Sequence, residues 1–98
     1  VVDGSWLRSL GTDAYLCAYG CGPSSFTVCG GVASTTDFVR RTFKVVFGPL
    51  MGSYFGDWDN TDNVLRSPLA AKGYQLACFW SGHPSWHLHH MALGRSIG

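Results

Sequence analysis

Compact apolar runs alternate along the chain with glycine-rich polar breaks, and each run is of strand length. The clearest is Val45-Val46-Phe47-Gly48-Pro49-Leu50-Met51, which ends at Gly52-Ser53 in a loop crowded with aromatics, glycines and carboxylates as far as Asn60. Ala14-Tyr15-Leu16-Cys17-Ala18-Tyr19 precedes it and Tyr74-Gln75-Leu76-Ala77-Cys78-Phe79-Trp80 follows. Short apolar runs bounded by turn residues predict buried strands. Pro49 predicts an edge position or a bulge for the central one, because proline gives a strand ladder no donor.

The intervening segments carry helix signals. Residues 6–10 read as a short apolar helical turn, broken at Gly11-Thr12-Asp13. Residues 26–32, interrupted by Gly30-Gly31, predict a loop or a short edge strand. Ser34-Thr35-Thr36-Asp37 offers an N-cap to a short helix over residues 38–41. Asn60-Thr61-Asp62 predicts the cap of a helix reaching Ala71, kinked or broken at Pro68 and stopped by Gly73. Pro84 predicts the first turn of a last helix through Leu93, ended by Gly94. Strands alternating with helical pieces predict an α/β fold with parallel strands and right-handed crossovers.

Parallel strands deliver the loops that follow them to one edge, where open α/β sheets place their sites. That edge gathers Gly20-Cys21-Gly22, the loop from Gly52-Ser53 to Asp59, and Ser81-Gly82-His83. Cys21, between two glycines, is a candidate nucleophile if a base lies within hydrogen-bond reach, and His83 is the candidate base. Ser53, directly after the central strand, is the second candidate nucleophile. Gly52, Tyr54, Asp57 and Trp58 are the expected substrate-binding wall. The competing reading makes Cys21 and Ser53 small residues in tight turns.

Composition narrows the partners. The 98 residues bound the chain to one domain, and 46% apolar against 13% charged residues suits an interior piece of a larger protein. The start at Val1-Val2-Asp3 without Met also suggests a fragment, so the rest of a parent chain is an expected partner. A net charge of +1 with scattered basic residues argues against nucleic acid. No apolar run approaches the ~20 residues of a membrane span. The cysteines lack CxxC spacing, so structural zinc is not expected. Cys17 and Cys78 fall in apolar runs and predict small packed hydrophobes, whereas Cys21 and Cys29 sit among glycines. No cofactor is expected, with one alternative. Asp57, Asp59 and Asp62 form a D-x-D-x-x-D cluster that could take calcium, although it departs from an EF-hand loop after two acidic positions and competes with helix capping. His83, His87, His89 and His90 permit metal pairs one helical turn apart, yet no HEXXH motif is present, and a helix packed on the sheet is the simpler account.

Taken in this order, the chain resembles the later half of a caspase-like α/β domain of the gingipain type. Tyr15-Leu16-Cys17-Ala18-Tyr19-Gly20-Cys21-Gly22 is similar to the strand that ends in the family's catalytic histidine. Residues 45–53 are similar to the strand ending in its catalytic cysteine, and residues 63–82 to the helix and strand after it. Phe55-Gly56-Asp57-Trp58-Asp59 and His89-His90-Met91 also resemble stretches of bacterial proteins with such domains. The resemblance implies that residues 1–98 are the C-terminal part of a single caspase-like domain, a fragment of a three-layer sandwich with a mainly parallel sheet. It also implies a peptide or protein substrate and a secreted or cell-surface location. The departures bear on activity: Cys21 stands at the histidine position and Ser53 at the cysteine position. A Cys–His dyad works because imidazole takes the thiol proton, and a thiol facing a hydroxyl supplies no base near neutral pH. The expected function is therefore a non-catalytic or divergent peptide-binding relative of cysteine peptidases. The alternatives are a cysteine-type hydrolase using Cys21 with His83, and a metal-stabilised structural module.

Overall fold

The computed structural model describes residues 5–80 and 89–96. Helix α1 (Trp6–Thr12) leads into β1 (Tyr15–Cys17) and β2 (Gly20–Cys21), two halves of one interrupted strand. Then come β3 (Ser24–Ser25), β4 (Val28–Cys29), β5 (Ala33–Ser34), α2 (Thr35–Arg40), the central β6 (Val45–Met51), α3 (Ser67–Ala70) and β7 (Ala77–Trp80). A 3-10 turn covers His89–Leu93. The fold is α/β.

The main sheet is parallel throughout. β1 and β2 pair with one side of β6, and β7 pairs with the other. Register is constant across it: Tyr15 lies beside Val45, Gly20 beside Leu50, and Leu50 beside Trp80. Pro49 is thus in the central strand, opposite Phe79, not at an edge or bulge. The carbonyls of Phe47 and Met51 accept from Ala18 and Gly22 of the first strand. Period-two alternation aims the missing Pro49 donor the same way, at the break between β1 and β2. The ladder is interrupted where the proline cannot serve it.

The first strand was expected to be buried, but it lies at the sheet edge among the described residues. Leu16 is 66% exposed, and Cys17 is exposed rather than packed as a small hydrophobe. Residues 26–32 contribute to an antiparallel sheet, β3–β4–β5, with Ser24 beside Cys29 and Cys29 beside Ala33. Its last strand feeds α2 through the predicted cap. The Ser34 hydroxyl accepts from the Asp37 N–H at 3.3 Å, while the Asp37 carboxylate accepts from the Ser34 N–H at 2.9 Å and the Ser34 hydroxyl at 2.7 Å. This reciprocal capping box satisfies donors that a helix start leaves open. Phe38 of α2 packs on Phe43 with ring centroids 4.7 Å apart, and Trp6 of α1 meets Phe38 edge-on at 6.2 Å.

The helix expected over residues 60–71 is replaced by turns, with only Ser67–Ala70 helical and Pro68 in its first turn. Asn63 explains this. It is buried, donating through Nδ2 to the carbonyls of Phe55 and Asp57, each at 3.1 Å, and accepting through Oδ1 from Leu65 and Arg66 N–H. That inward side chain organises a loop, and Val64 and Leu65 bury beside it. Asp62 is no N-cap here; its carboxylate accepts from the Thr35 hydroxyl at 2.9 Å. Gly73 is not the helix stop, because α3 ends in an extended Ala71. Of the last predicted helix, Pro84 and its first turns lie outside the described residues. Its end appears as the 3-10 turn, followed by Gly94 at φ 77°, a left-handed position that glycine tolerates.

Candidate functional site

The C-terminal ends of the parallel strands meet at one edge: Cys21 ends β2 beside Met51 of β6, and Trp80 ends β7 beside Leu50. Between them lies a cleft of about 330 Å³ lined by Cys21, Gly22, Met51, Gly52, Ser53 and Trp80. Backbone geometry opens it. Gly22 N–H donates to the Met51 carbonyl at 3.3 Å, and the Trp80 indole N–H donates to the Gly52 carbonyl at 2.6 Å. The Ser24 hydroxyl donates to the Ser53 carbonyl at 3.1 Å, fastening the hairpin to the loop. Gly52 has no space for a side chain, since a Cβ there would overlap the Ser24 hydroxyl and lie 2.9 Å from the Phe55 ring.

The cleft thus brings together Cys21, Ser53 and Gly52. Cys21 and Ser53 are exposed, so both side chains are open to solvent and ligand. His83 lies outside the described residues. Tyr54, Asp57 and Trp58 do not line the cleft. They occupy the exposed turn beyond it, where Tyr54 adopts φ 66°. The left-handed region costs a non-glycine residue about 1–2 kcal/mol, and this turn holds Tyr54 there. The Asp57 carbonyl accepts from both Asn60 and Asn63 side-chain amides. The Asp62 carboxylate is engaged by the Thr35 hydroxyl. Among the described residues no three His, Cys, Asp or Glu side chains gather as a metal set. Of the histidine cluster, His89 and His90 are described and stack edge-on at 5.9 Å, while His87 is outside the described residues.

Two participants carried no sequence signal. Tyr19, in the break between β1 and β2, donates its hydroxyl to Met51 Sδ at 3.3 Å and also hydrogen-bonds the Cys21 thiol. That bond, then burial and the charges of Cys21 and Cys29, raise the Tyr19 phenol above its ordinary value, so it stays protonated at neutral and mildly alkaline pH. Met51 was visible only as an apolar strand residue. Its place beside Cys21 depends on strand register, which the sequence does not print. The other thiols are differently placed. Cys29 is buried and pushed up to about 11 by burial and by the neighbouring Cys21. Cys78 is pushed up to about 12 by burial, and its thiol donates to the Gly48 carbonyl at 3.1 Å.

A second, more open groove of about 590 Å³ lies between α1 and the β4–β5 hairpin, with Arg8 and Arg41 among its lining residues. No helix among the described residues is long and apolar enough to cross a membrane. No known family model, curated protein or solved structure matches the chain.

Proposed function

We propose that the Cys21–Ser53 cleft is the peptide-binding edge of a divergent caspase-like module of the gingipain type, without the usual Cys–His dyad. One observation carries this reading: three parallel strands end around a single cleft whose described lining supplies a thiol, a hydroxyl and an indole but no imidazole or carboxylate. Such a lining can grip a peptide through the Trp80 ring and the exposed Cys21 and Ser53 side chains. Proton abstraction from Cys21 would need a base within hydrogen-bond reach, and the Tyr19 phenol beside it holds its own proton too tightly to serve.

Peptide binding and peptide turnover are separable by experiment. A fluorescent peptide library screened by anisotropy against the full chain should reveal ligands that bind saturably, with affinity reduced about tenfold or more by Trp80→Ala, and with no hydrolysis. A peptidyl chloromethyl ketone should not label Cys21 faster than it labels the exposed Cys17. Amide hydrolysis lost in Cys21→Ala would overturn the non-catalytic reading in favour of Cys21 working with His83. Failure of every peptide to bind would end the binding reading.

A further inference from the structure

The Tyr19–Cys21–Met51 cluster has a chemistry that peptide binding does not use. Cys21 and Met51 are register partners on adjacent parallel strands, so their side chains leave the sheet on the same face. The Tyr19 hydroxyl donates to Met51 Sδ at 3.3 Å, and Cys21 is a neighbour close enough to raise its phenol. Cys21 and Met51 both line the open cleft, which gives an ion a route in.

We propose that Cys21 and Met51 form a two-sulfur site for a soft monovalent cation, Cu(I), with Tyr19 as a positioning residue. Neighbouring strands are about 4.7–4.9 Å apart. On the same face at that spacing, the two side chains stand side by side, within reach of one ion. Thiolate and thioether are the donors that select Cu(I), whereas zinc and calcium want larger ligand sets. On binding, the Cys21 S–H bond breaks, its proton passes to solvent and a sulfur–copper bond forms, with no change of oxidation state. The Tyr19 hydroxyl then donates to the metal-bound thiolate, an outer-shell contact of the kind that tunes affinity. This site is independent of whether the cleft binds peptide.

The chain carries its own control. Cys17 is also exposed and also in the first strand, but its register partner is Phe47, which offers no sulfur. Anaerobic titration of the full chain with Cu(I) against bicinchoninate should show one ion retained per chain. Cys21→Ser should abolish retention, and Met51→Leu, close to volume-conserving, should weaken it at least tenfold. Tyr19→Phe should weaken it less, and Cys17→Ser should leave it unchanged. X-ray absorption on selenomethionine-labelled protein should show a copper–selenium neighbour that Met51→Leu removes and Met91→Leu does not. That measurement reads the site directly in the unmutated fold. Retention that is unchanged by Met51→Leu, that follows Cys17, or that shows no selenium neighbour would overturn the proposal, as would failure to hold copper against the chelator.

Discussion

Residues 34–41 and residues 60–71 begin alike, yet only the first becomes the helix its opening predicts. Ser34-Thr35-Thr36-Asp37 closes a capping box within itself: Asp37 reaches back three residues to Ser34, and Ser34 reaches forward to Asp37. Asn60-Thr61-Asp62 has the same kinds of side chain, but Asn60 and Asp62 are claimed elsewhere. Asp62 is held by Thr35, Asn60 turns back to the Asp57 carbonyl, and Asn63 goes inward to fasten Phe55, Asp57, Leu65 and Arg66. A capping signal is decided by whether its polar side chain can be satisfied locally or is better used on distant backbone. The burial of Asn63 among Val64, Leu65 and Phe55 makes the distant use obligatory, because an unpartnered backbone carbonyl there would be costly.

The largest test of this contrast is Asn63. Four hydrogen bonds at a net ~1 kcal/mol each make Asn63→Ala destabilising by about 3–4 kcal/mol, measured by urea denaturation. Asn63→Asp keeps the acceptor but loses both donors, and should recover less than half of that loss. If Asn63→Ala instead raised helicity at residues 60–71 without loss of stability, the inward Asn63 would not be what keeps this segment from becoming a helix.

A smaller effect is expected at the first cap. Ser34→Ala should cost about 1 kcal/mol and should expose the pH response of Asp37. The Ser34 hydroxyl and N–H, with Arg41 and Arg40, hold the Asp37 carboxyl below its ordinary value. A carboxylate lowered in the fold contributes stability above its unfolded pKa, and that contribution is lost as pH falls through the folded one. In Ser34→Ala the acid-induced loss should therefore be shallower than in the parent chain, by denaturation midpoints between about pH 6 and 3.

The gentlest test lies outside both segments. Burial pushes the Cys29 thiol up to about 11 and the Cys78 thiol up to about 12, against an ordinary 9.0. A thiol raised in the fold keeps its proton where the unfolded chain has already lost it. Stability is then complete below about pH 9 and declines as pH climbs toward those values. The denaturation midpoint should fall over that range equally in the parent, Ser34→Ala and Asn63→Ala, since neither thiol belongs to the compared segments. A flat alkaline profile would contradict the burial of these two thiols.

Much of the architecture was legible because it rests on local chemistry. The apolar runs at residues 14–19, 45–51 and 74–80 each contain a strand of the parallel sheet, and the Ser34 cap sits where its spacing placed it. Runs of that length mark strands because chain direction alternates side chains between two faces, whatever the neighbours. What failed was whatever depended on neighbours. Leu16 and Cys17 looked buried but occupy an edge strand, and Pro49 looked like an edge residue but lies in the central strand opposite a break. The candidate site divides in the same way. Cys21 and Ser53 were findable as reactive side chains beside glycines after strands. Tyr19 and Met51 were not, since a phenol and a thioether in apolar runs read as packing.

By itself, then, the sequence determined the strand–loop units and the reactive groups each unit carries to its end. Tertiary structure alone decided the register that sets Cys21 beside Met51 and the inward turn of Asn63 that replaces a helix with a loop. It also decided which thiols face solvent and which are buried. The reason is physical: periodicity and capping act over a few residues, whereas pairing between strands and the satisfaction of buried polar groups are settled only when distant segments compete for the same partners.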